Sequence, residues 1–161
     1  MSKFGIFIII ILIMFGCSNK SPDLINEINN QTADEIYETD KINEEIKIIG
    51  DVMFYIHKLK DKDYTFEYGD ENIKTWYIAA EEIALIGKPA IPYLIKNLQT
   101  KNDYERAVTL YALLISTQNE NVKIFTNGEY IEVSLDFNPE NHEKLKKIAI
   151  DWWEKYKHNW N

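Results

Sequence analysis

The fold is decided by residues 79–98, which read AAEEIALIGKPAIPYLIKNL. The first half of this stretch is rich in small and aliphatic residues, and Gly87 ends it, because glycine readily adopts the positive φ that follows a helix C-terminus. Pro89 comes two residues later and suits the first turn of a new helix, where a backbone N–H is not needed. The stretch therefore predicts two short helices joined by a tight turn.

Further helices are predicted on both sides of this turn. The helix before Gly87 extends back to Glu71, and the helix after it covers residues 90–98. Apolar residues at three- and four-residue steps predict another helix over residues 103–116, and a last helix that begins with an Asn-Pro pair is predicted over residues 138–158. The sequence thus predicts a mainly helical domain.

An amphipathic helix over residues 41–60 is predicted to belong to the core. Its apolar residues form a wide stripe, and its charged residues lie off that stripe. The positions expected to be buried are Ile42, Ile46, Ile49, Val52, Met53, Ile56 and Leu59. Residues 61–70 are acidic and aromatic and end in glycine and aspartate, which predicts a loop before the next helix.

A β-hairpin is predicted over residues 122–133, where the spacing of apolar residues changes. Asn127-Gly128 at its centre is the strongest two-residue hairpin signal, because both central positions of a type I′ turn need positive φ. Pairing across this turn places four aliphatic residues on one face, which we expect to pack on the helices. These residues are Val122, Ile124, Ile131 and Val133.

The stretch over residues 76–116 resembles the bacterial HEAT-like repeat. In that family a small-residue helix ends in Ile-Gly, an Ala-Ile-Pro helix follows, and an arginine opens the next unit. The matching residues here are Ile86-Gly87, Ala90-Ile91-Pro92 and Arg106. The resemblance implies a mainly α domain of about one and a half repeats. We expect these repeats to be capped by the helix over residues 41–60 on one side and by the hairpin and the C-terminal helix on the other. It also implies a binding scaffold without catalytic residues.

Residues 1–16 have the organisation of a secretory signal peptide. Lys3 is their single charge, Phe4–Phe15 is an unbroken apolar run, and Gly16 supplies a small residue at the cleavage site. A helix that spans a bilayer needs about 20 apolar residues. A cleaved signal peptide is therefore expected rather than a retained transmembrane helix.

The residues Met14-Phe15-Gly16-Cys17 resemble the bacterial lipobox. The resemblance implies cleavage between Gly16 and Cys17 and a diacylglycerol on the Cys17 sulfur, which would anchor the protein to a membrane on its extracytoplasmic side. In a bacterium with two membranes, Ser18 after the cysteine resembles the outer-membrane class. An ordinary signal peptide with an incidental cysteine is the alternative. Residues 17–40 are polar and predict a tether to a domain over residues 41–161.

Charge and motif spacing exclude several functions. The chain has 26 acidic and 18 basic side chains, and Arg106 is its sole arginine, so no nucleic-acid partner is expected. His142 begins a zincin-like sequence, but Lys146 stands where the second histidine should be. A calcium loop that began at Asp61 would need glycine where Phe66 stands. No metal site, cofactor or disulfide is predicted.

Aromatic residues are the remaining candidates for function. Tyr64 and Phe66 lie in the predicted loop, and Trp152 and Trp153 lie near the C-terminus. We consider these four residues as candidate contacts with a partner protein, because large rings often dominate binding surfaces. Capping of an undersized core by these rings is the interpretation that the sequence favours, and the partner surface is the alternative.

The sequence favours a binding module that presents a helical surface to another protein of the cell envelope. A toxin-neutralising immunity lipoprotein would be a special case. The alternatives are an envelope enzyme that acts on cell-wall glycan through carboxylates, and a structural component of the envelope that has no defined ligand. A concave cluster of carboxylates about 5–9 Å apart would favour the enzyme, and an exposed patch of rings without such a cluster would favour binding.

Overall fold

The computed structural model describes the backbone of residues 22–160 and the side chains of residues 36–160. The predicted signal peptide, its cleavage site and Cys17 lie outside these residues. The chain divides at Asp40 into two compact units, of which the second is Lys41–Asn161. No helix in the described range is long and apolar enough to cross a bilayer.

The described residues are mainly helical, with one antiparallel two-stranded hairpin and a C-terminal helix, as predicted. The elements are α1 (Pro22–Lys58), β1 (Phe66–Tyr68), β2 (Lys74–Trp76), α2 (Ile78–Ile86), α3 (Ile91–Asn97), α4 (Asp103–Thr117), α5 (Glu120–Lys123) and α6 (Pro139–Tyr156). Short 3₁₀ turns occupy Lys88–Ala90 and Lys157–Trp160.

The turn between α2 and α3 has the predicted form. Gly87 has a φ of 69°, and Pro89 stands in the 3₁₀ turn that leads into α3. Helices α2, α3 and α4 pack together around aliphatic side chains that are fully buried. These side chains include Ile83, Ile91, Leu94, Leu98, Leu110 and Leu113. Asn138 caps α6, because its side chain accepts a hydrogen bond from the Glu140 N–H, as the Asn-Pro pair predicts.

Two asparagines at the start of α5 hold the end of α2. Asn119 Nδ2 donates to the Ala84 carbonyl oxygen at 3.0 Å, and Asn121 Nδ2 donates to the Ile86 carbonyl oxygen at 3.1 Å. Asn121 Oδ1 also accepts a hydrogen bond from the Lys88 N–H at 2.9 Å. These bonds satisfy carbonyl groups that the last turn of a helix leaves without a partner. The chain after α4 is thereby fixed to the turn between α2 and α3.

The prediction of a hairpin over residues 122–133 is wrong. Asn127 and Gly128 do have positive φ, at 53° and 81°. However, Gly128 N–H donates to the Lys123 carbonyl oxygen at 3.0 Å, a spacing typical of the end of a helix. The pair therefore ends the helical turns of α5 and does not join two strands.

The residues expected to pair in that hairpin have separate environments. Val122 and Ile131 are buried in the core, whereas Ile124 is 72% exposed. Ile131 N–H donates to Thr117 Oγ1 at 3.0 Å. Its hydrogen-bond acceptor is therefore a side-chain hydroxyl and not the backbone carbonyl of a paired strand. Residues 124–138 thus cross the domain surface as an irregular segment.

Helix α1 is longer than predicted, and several of its apolar residues are more exposed than predicted. It begins at Pro22, so it includes most of the residues expected to form a tether. Val52 and Leu59 are buried, but four positions expected in the core are exposed in the structure. They are Ile42, Ile46, Ile49 and Met53. Periodicity identifies an apolar face but does not identify what covers it. Among the described side chains of α1, those that pack on this core belong to residues 48–59.

Helix α2 begins at Ile78 and not at Glu71. The reason is that Lys74–Trp76 pairs with Phe66–Tyr68, so the backbone of these residues is extended. A helix that began at Glu71 would place Ile73 and Trp76 on its buried face by their spacing, but both are exposed. The hairpin of this protein therefore lies in the stretch predicted to be a loop and the start of a helix.

We expect Gly87→Ala to destabilise the domain by about 1–3 kcal/mol, because residues other than glycine rarely adopt its backbone conformation. A Cβ at this position would also lie 2.2 Å from Asn121 Oδ1. Gly50→Ala is the matched control: it lies within α1 with open space around it, and should stabilise by about 0.5–1 kcal/mol. Urea denaturation of both variants tests this, and equal stabilities would contradict it.

Candidate functional site

The hairpin formed by β1 and β2 presents large rings on one face. Phe66 lies opposite Trp76, and Tyr68 lies opposite Lys74. Residues directly opposite each other in an antiparallel pair share a face, so the three rings are on the same side. The rings of Tyr68 and Trp76 meet edge to face with their centroids 6.3 Å apart.

The turn of this hairpin depends on a glycine. Gly69 has a φ of 97°, and a Cβ there would lie 2.7 Å from the Asn72 carbonyl oxygen. A side chain would therefore be strained in this conformation and would collide with the backbone of the turn. Gly69 thus allows the chain to reverse between the two short strands.

The ring face of the hairpin is exposed. Phe66 is 62% accessible to solvent, and Tyr68 and Trp76 are also exposed. Together with Ile78 they line a shallow hollow of about 550 Å³ whose walls are almost entirely apolar. We call these four residues the hairpin patch. Contiguous exposed apolar surface of this kind marks interaction sites in soluble domains.

A second group of rings lies between α2, α4 and the segment before α6. Phe137 stacks on Tyr104 with centroids 5.5 Å apart and contacts Tyr77 at 6.1 Å. These rings and Lys62 line a hollow of about 460 Å³, and Lys62 Nζ lies 5.3 Å from the centroid of Tyr104. Because Tyr77 directly follows Trp76, this group adjoins the hairpin patch along the chain.

Tyr111 connects this second group of rings with the carboxylate of Glu81 on α2. Its hydroxyl donates to Glu81 Oε1 at 2.6 Å, and its ring meets Tyr77 edge to face. Burial, together with the nearby Glu81 carboxylate, raises the pKa of Tyr111. Burial also raises the pKa of Tyr77 and of Tyr104. These phenols therefore stay neutral over the physiological pH range and act as apolar rings with one polar end.

The four candidate partner contacts predicted from the sequence lie in different environments. Phe66 belongs to the hairpin patch. Tyr64 is half-buried, and its ring meets Phe54 edge to face at 6.5 Å. Trp152 is only 7% exposed, so its assignment to an exposed contact surface is wrong. Trp153 is half-buried against the core.

The C-terminal tryptophans instead pack at the edge of the core, which is the role that the sequence favours for them. Trp160 meets Trp152 and Trp153 at centroid distances of 5.9 and 5.3 Å. Its indole Nε1 donates to the Lys88 carbonyl oxygen at 3.0 Å. Lys88 Nζ in turn lies 3.6 Å from the centroid of Phe125. These contacts hold the C-terminus against the turn between α2 and α3.

Glu129, one of two glutamates that line a hollow, does not suit the role of the acid in a glycan-cleaving enzyme. Glu129 and Glu132 line a hollow of about 490 Å³ beside Trp152. Glu129, however, forms an ion pair with Lys155 at 2.7 Å, and this contact lowers the pKa of Glu129. The acid of a glycoside hydrolase needs a raised pKa so that it is protonated near neutral pH. Glu129 cannot take that role.

The buried His142 is held by the protein itself. Its Nε2 lies 2.8 Å from the Asp136 carbonyl oxygen, so Nε2 carries the hydrogen, because a carbonyl oxygen can only accept. Its Nδ1 faces Arg106 Nη1 at 3.5 Å. Both ring nitrogens are therefore directed at partners in this chain. Among the side chains of residues 36–160, no three His, Cys, Asp or Glu residues are arranged to hold a metal ion.

Sequence reasoning missed Tyr68, Trp76 and Ile78 as parts of one surface. The available signal was the alternation of aromatic residues at positions 64, 66 and 68, which is typical of a strand. The β-favouring residues Thr75 and Trp76 follow a short stretch that contains glycine and asparagine. The apolar residues from Ile73 onward are also spaced as in a helix, and this second pattern favours the helix predicted to begin at Glu71.

Comparisons of the chain with known protein families, with curated proteins and with solved structures found no match.

We expect the free energy of unfolding to fall as the pH rises above about 10, the pKa of tyrosine in an unfolded chain. The raised pKa of Tyr111 favours the folded state fully below that pH, and the contribution is lost as the pH rises towards the folded value. Tyr111→Phe should make this fall less steep, as measured by urea denaturation across the alkaline range. Tyr130→Phe, which removes an exposed hydroxyl, is the matched control; identical slopes in both variants would contradict the prediction.

Proposed function

We propose that this protein is a binding module of the bacterial cell envelope that holds a partner protein at the hairpin patch. The observation that carries this proposal is the exposed apolar hollow formed by Phe66, Tyr68, Trp76 and Ile78. Helices α2, α3 and α4 would be HEAT-like units that serve as the scaffold for the patch.

The composition of the patch suits a binding surface. Tryptophan and tyrosine are enriched among the residues that dominate binding energy, because they bury a large area at a small cost in side-chain entropy. Trp76 lies at the centre of the patch, opposite Phe66 and in contact with Tyr68. We therefore expect Trp76 to contribute most to binding.

The surroundings of the patch suit a partner with positive charge. Glu67, Asp70 and Glu71 lie on the hairpin or its turn and are exposed. Against them stands one exposed lysine of the hairpin, Lys74, which lies on the ring face opposite Tyr68. Charged residues at the rim of an interface mainly accelerate association and select partners. The hairpin also has two outer strand edges whose backbone groups can pair with an extended segment of a partner.

The proposed location rests on the N-terminal sequence. A lipid on Cys17 would hold the domain at a membrane without a transmembrane helix, since each buried methylene of an acyl chain contributes about 0.8 kcal/mol. The module would then meet its partners on the extracytoplasmic side.

We expect Trp76→Ala to weaken partner binding at least tenfold, or by about 1.4 kcal/mol, which is common for a central aromatic contact. The measurement uses the full chain in native membranes with a photo-reactive amino acid at position 66. Cross-linked proteins are identified by mass spectrometry, with and without Trp76→Ala.

Ile124→Ala is the matched control, because Ile124 is an equally apolar, highly exposed residue outside the patch. It should leave the cross-links intact, and thermal melting checks that both variants remain folded. The proposal fails if position 66 captures the same proteins as a photo-reactive group at position 124, or if Trp76→Ala leaves the captured set unchanged.

Cys17→Ser should abolish incorporation of a labelled fatty acid, because the lipid would be attached through the cysteine sulfur. The measurement is metabolic labelling with an alkyne fatty acid, followed by gel fluorescence of the purified chain. Ser18→Ala is the control and should label normally. Labelling of the Cys17→Ser chain would disprove the lipid anchor. It would not affect the proposal that the hairpin patch binds a partner.

A further inference from the structure

Helix α1 carries an apolar stripe that nothing among the described residues covers. It consists of Ile42, Ile46, Ile49 and Met53, whose exposed fractions lie between 45% and 62%. We call these residues the isoleucine stripe. They are neighbours of Val52, which is fully buried, so the stripe lies beside the face of α1 that packs on the domain. A row of four exposed aliphatic residues on one helix is costly unless it has a partner.

The spacing of the stripe is that of a coiled coil. Its members are separated by four, three and four residues, the alternation produced by the a and d positions of a heptad. In this frame Ile42 and Ile49 are d residues, and Ile46 and Met53 are a residues. In the sequence Ile25 and Ile28 also fall on a and d positions of this frame. However, the a and d positions between them and the stripe are polar, namely Thr32, Glu35 and Thr39.

The length of α1 agrees with this assignment. The helix runs over 37 residues, and side chains from Ile36 to Lys47 are exposed throughout. An amphipathic helix gains most of its stability from packing its apolar face, so an exposed stripe on a helix of this length is expected to have a partner.

We propose that copies of this chain associate through α1 as a parallel coiled coil. A heptad stripe is self-complementary, because the a and d residues of one helix fit the holes formed by the same residues of another. Isoleucine at both a and d positions favours three or four strands over two. The occupant of the isoleucine stripe is therefore the same stripe of another copy.

The charges beside the stripe favour the parallel direction. Glu38 and Glu45 take g positions, whereas Asn43 and Gly50 take e positions. In a parallel pair each g residue faces an e residue of the other helix, so the glutamates meet Asn43 and Gly50. An antiparallel pair would bring glutamates towards each other, and like charges at such positions are destabilising.

A neighbouring hollow would extend the contact. Ile48 and Ile49 line a space of about 360 Å³ together with Pro92, Tyr93 and Trp160. This hollow is mostly apolar and adjoins the isoleucine stripe through Ile49. A helix that lies along the stripe would therefore also have apolar surface of the domain within reach.

The test is disulfide cross-linking of the full chain in native membranes. In a parallel, in-register assembly Ile42 meets Ile42 of another copy, so Ile42→Cys should form a covalent dimer upon mild oxidation. Ile124→Cys, at an exposed position away from α1, measures random collisions, and the unsubstituted chain measures any contribution of Cys17. We expect the Ile42→Cys chain to give several times the dimer of either control.

A second substitution tests the stripe itself. Ile46→Glu in the Ile42→Cys chain should abolish the dimer, because it places a charge in the apolar seam. Ile124→Glu in the same chain should have no effect, and thermal melting verifies that both remain folded. Dimer levels no higher than those of Ile124→Cys would overturn the proposal. Cross-linking only in an Ile42→Cys/Met53→Cys chain would overturn the parallel direction.

Discussion

The structure depends on the hydrogen bonds that Asn119 and Asn121 make to the end of α2. The last carbonyl groups of a helix have no partner within the helix, and here they belong to the half-buried residues Ala84 and Ile86. Asn121 closes the turn from both sides, since its amide donates to the Ile86 carbonyl and its oxygen accepts from the Lys88 N–H. Gly87 must be glycine for this approach, because a Cβ would occupy the place of the amide.

This constraint determines the course of the chain after α4. Because Asn119 and Asn121 must reach α2, residues 120–123 form a helical turn and cannot form a strand. The segment then has to cross the surface to reach α6, and Thr117 Oγ1 accepts the Ile131 N–H on the way. Trp160 returns to the same turn through its bond to the Lys88 carbonyl. The C-terminal tryptophans therefore pack against the core and against the turn between α2 and α3.

The sequence predicted well those features that depend on local chemistry. Gly87 and Pro89 mark the turn, Asn138 caps α6, and Asn127-Gly128 has positive φ, all as expected. The sequence-based prediction failed where one local sequence signal is compatible with two different structures. Positive φ is needed both in a type I′ turn and after the end of a helix, and only the distant partners of Asn119 and Asn121 distinguish these cases.

The candidate site shows the same limit. Phe66 could be found from the sequence because it is one of several aromatic residues in an acidic stretch. Trp76 could not, because its spacing from Tyr77 and Ala80 also fits the buried face of a helix, and only its pairing with Phe66 makes it exposed. The isoleucine stripe was identified by its periodicity but was assigned to the core, since a heptad that packs on another copy and one that packs on its own domain have similar patterns.

The two exposed surfaces are physically connected. Tyr64, just before β1, packs on Phe54 of α1, and Lys58 at the end of α1 forms an ion pair with Asp61 at 2.8 Å. The base of the hairpin is thus attached to the helix that carries the isoleucine stripe. In a parallel assembly through α1, each copy would hold a hairpin patch at the same height along the bundle. A partner with repeated binding segments would then bind several patches at once, and its overall affinity would exceed that of any single patch without a new contact.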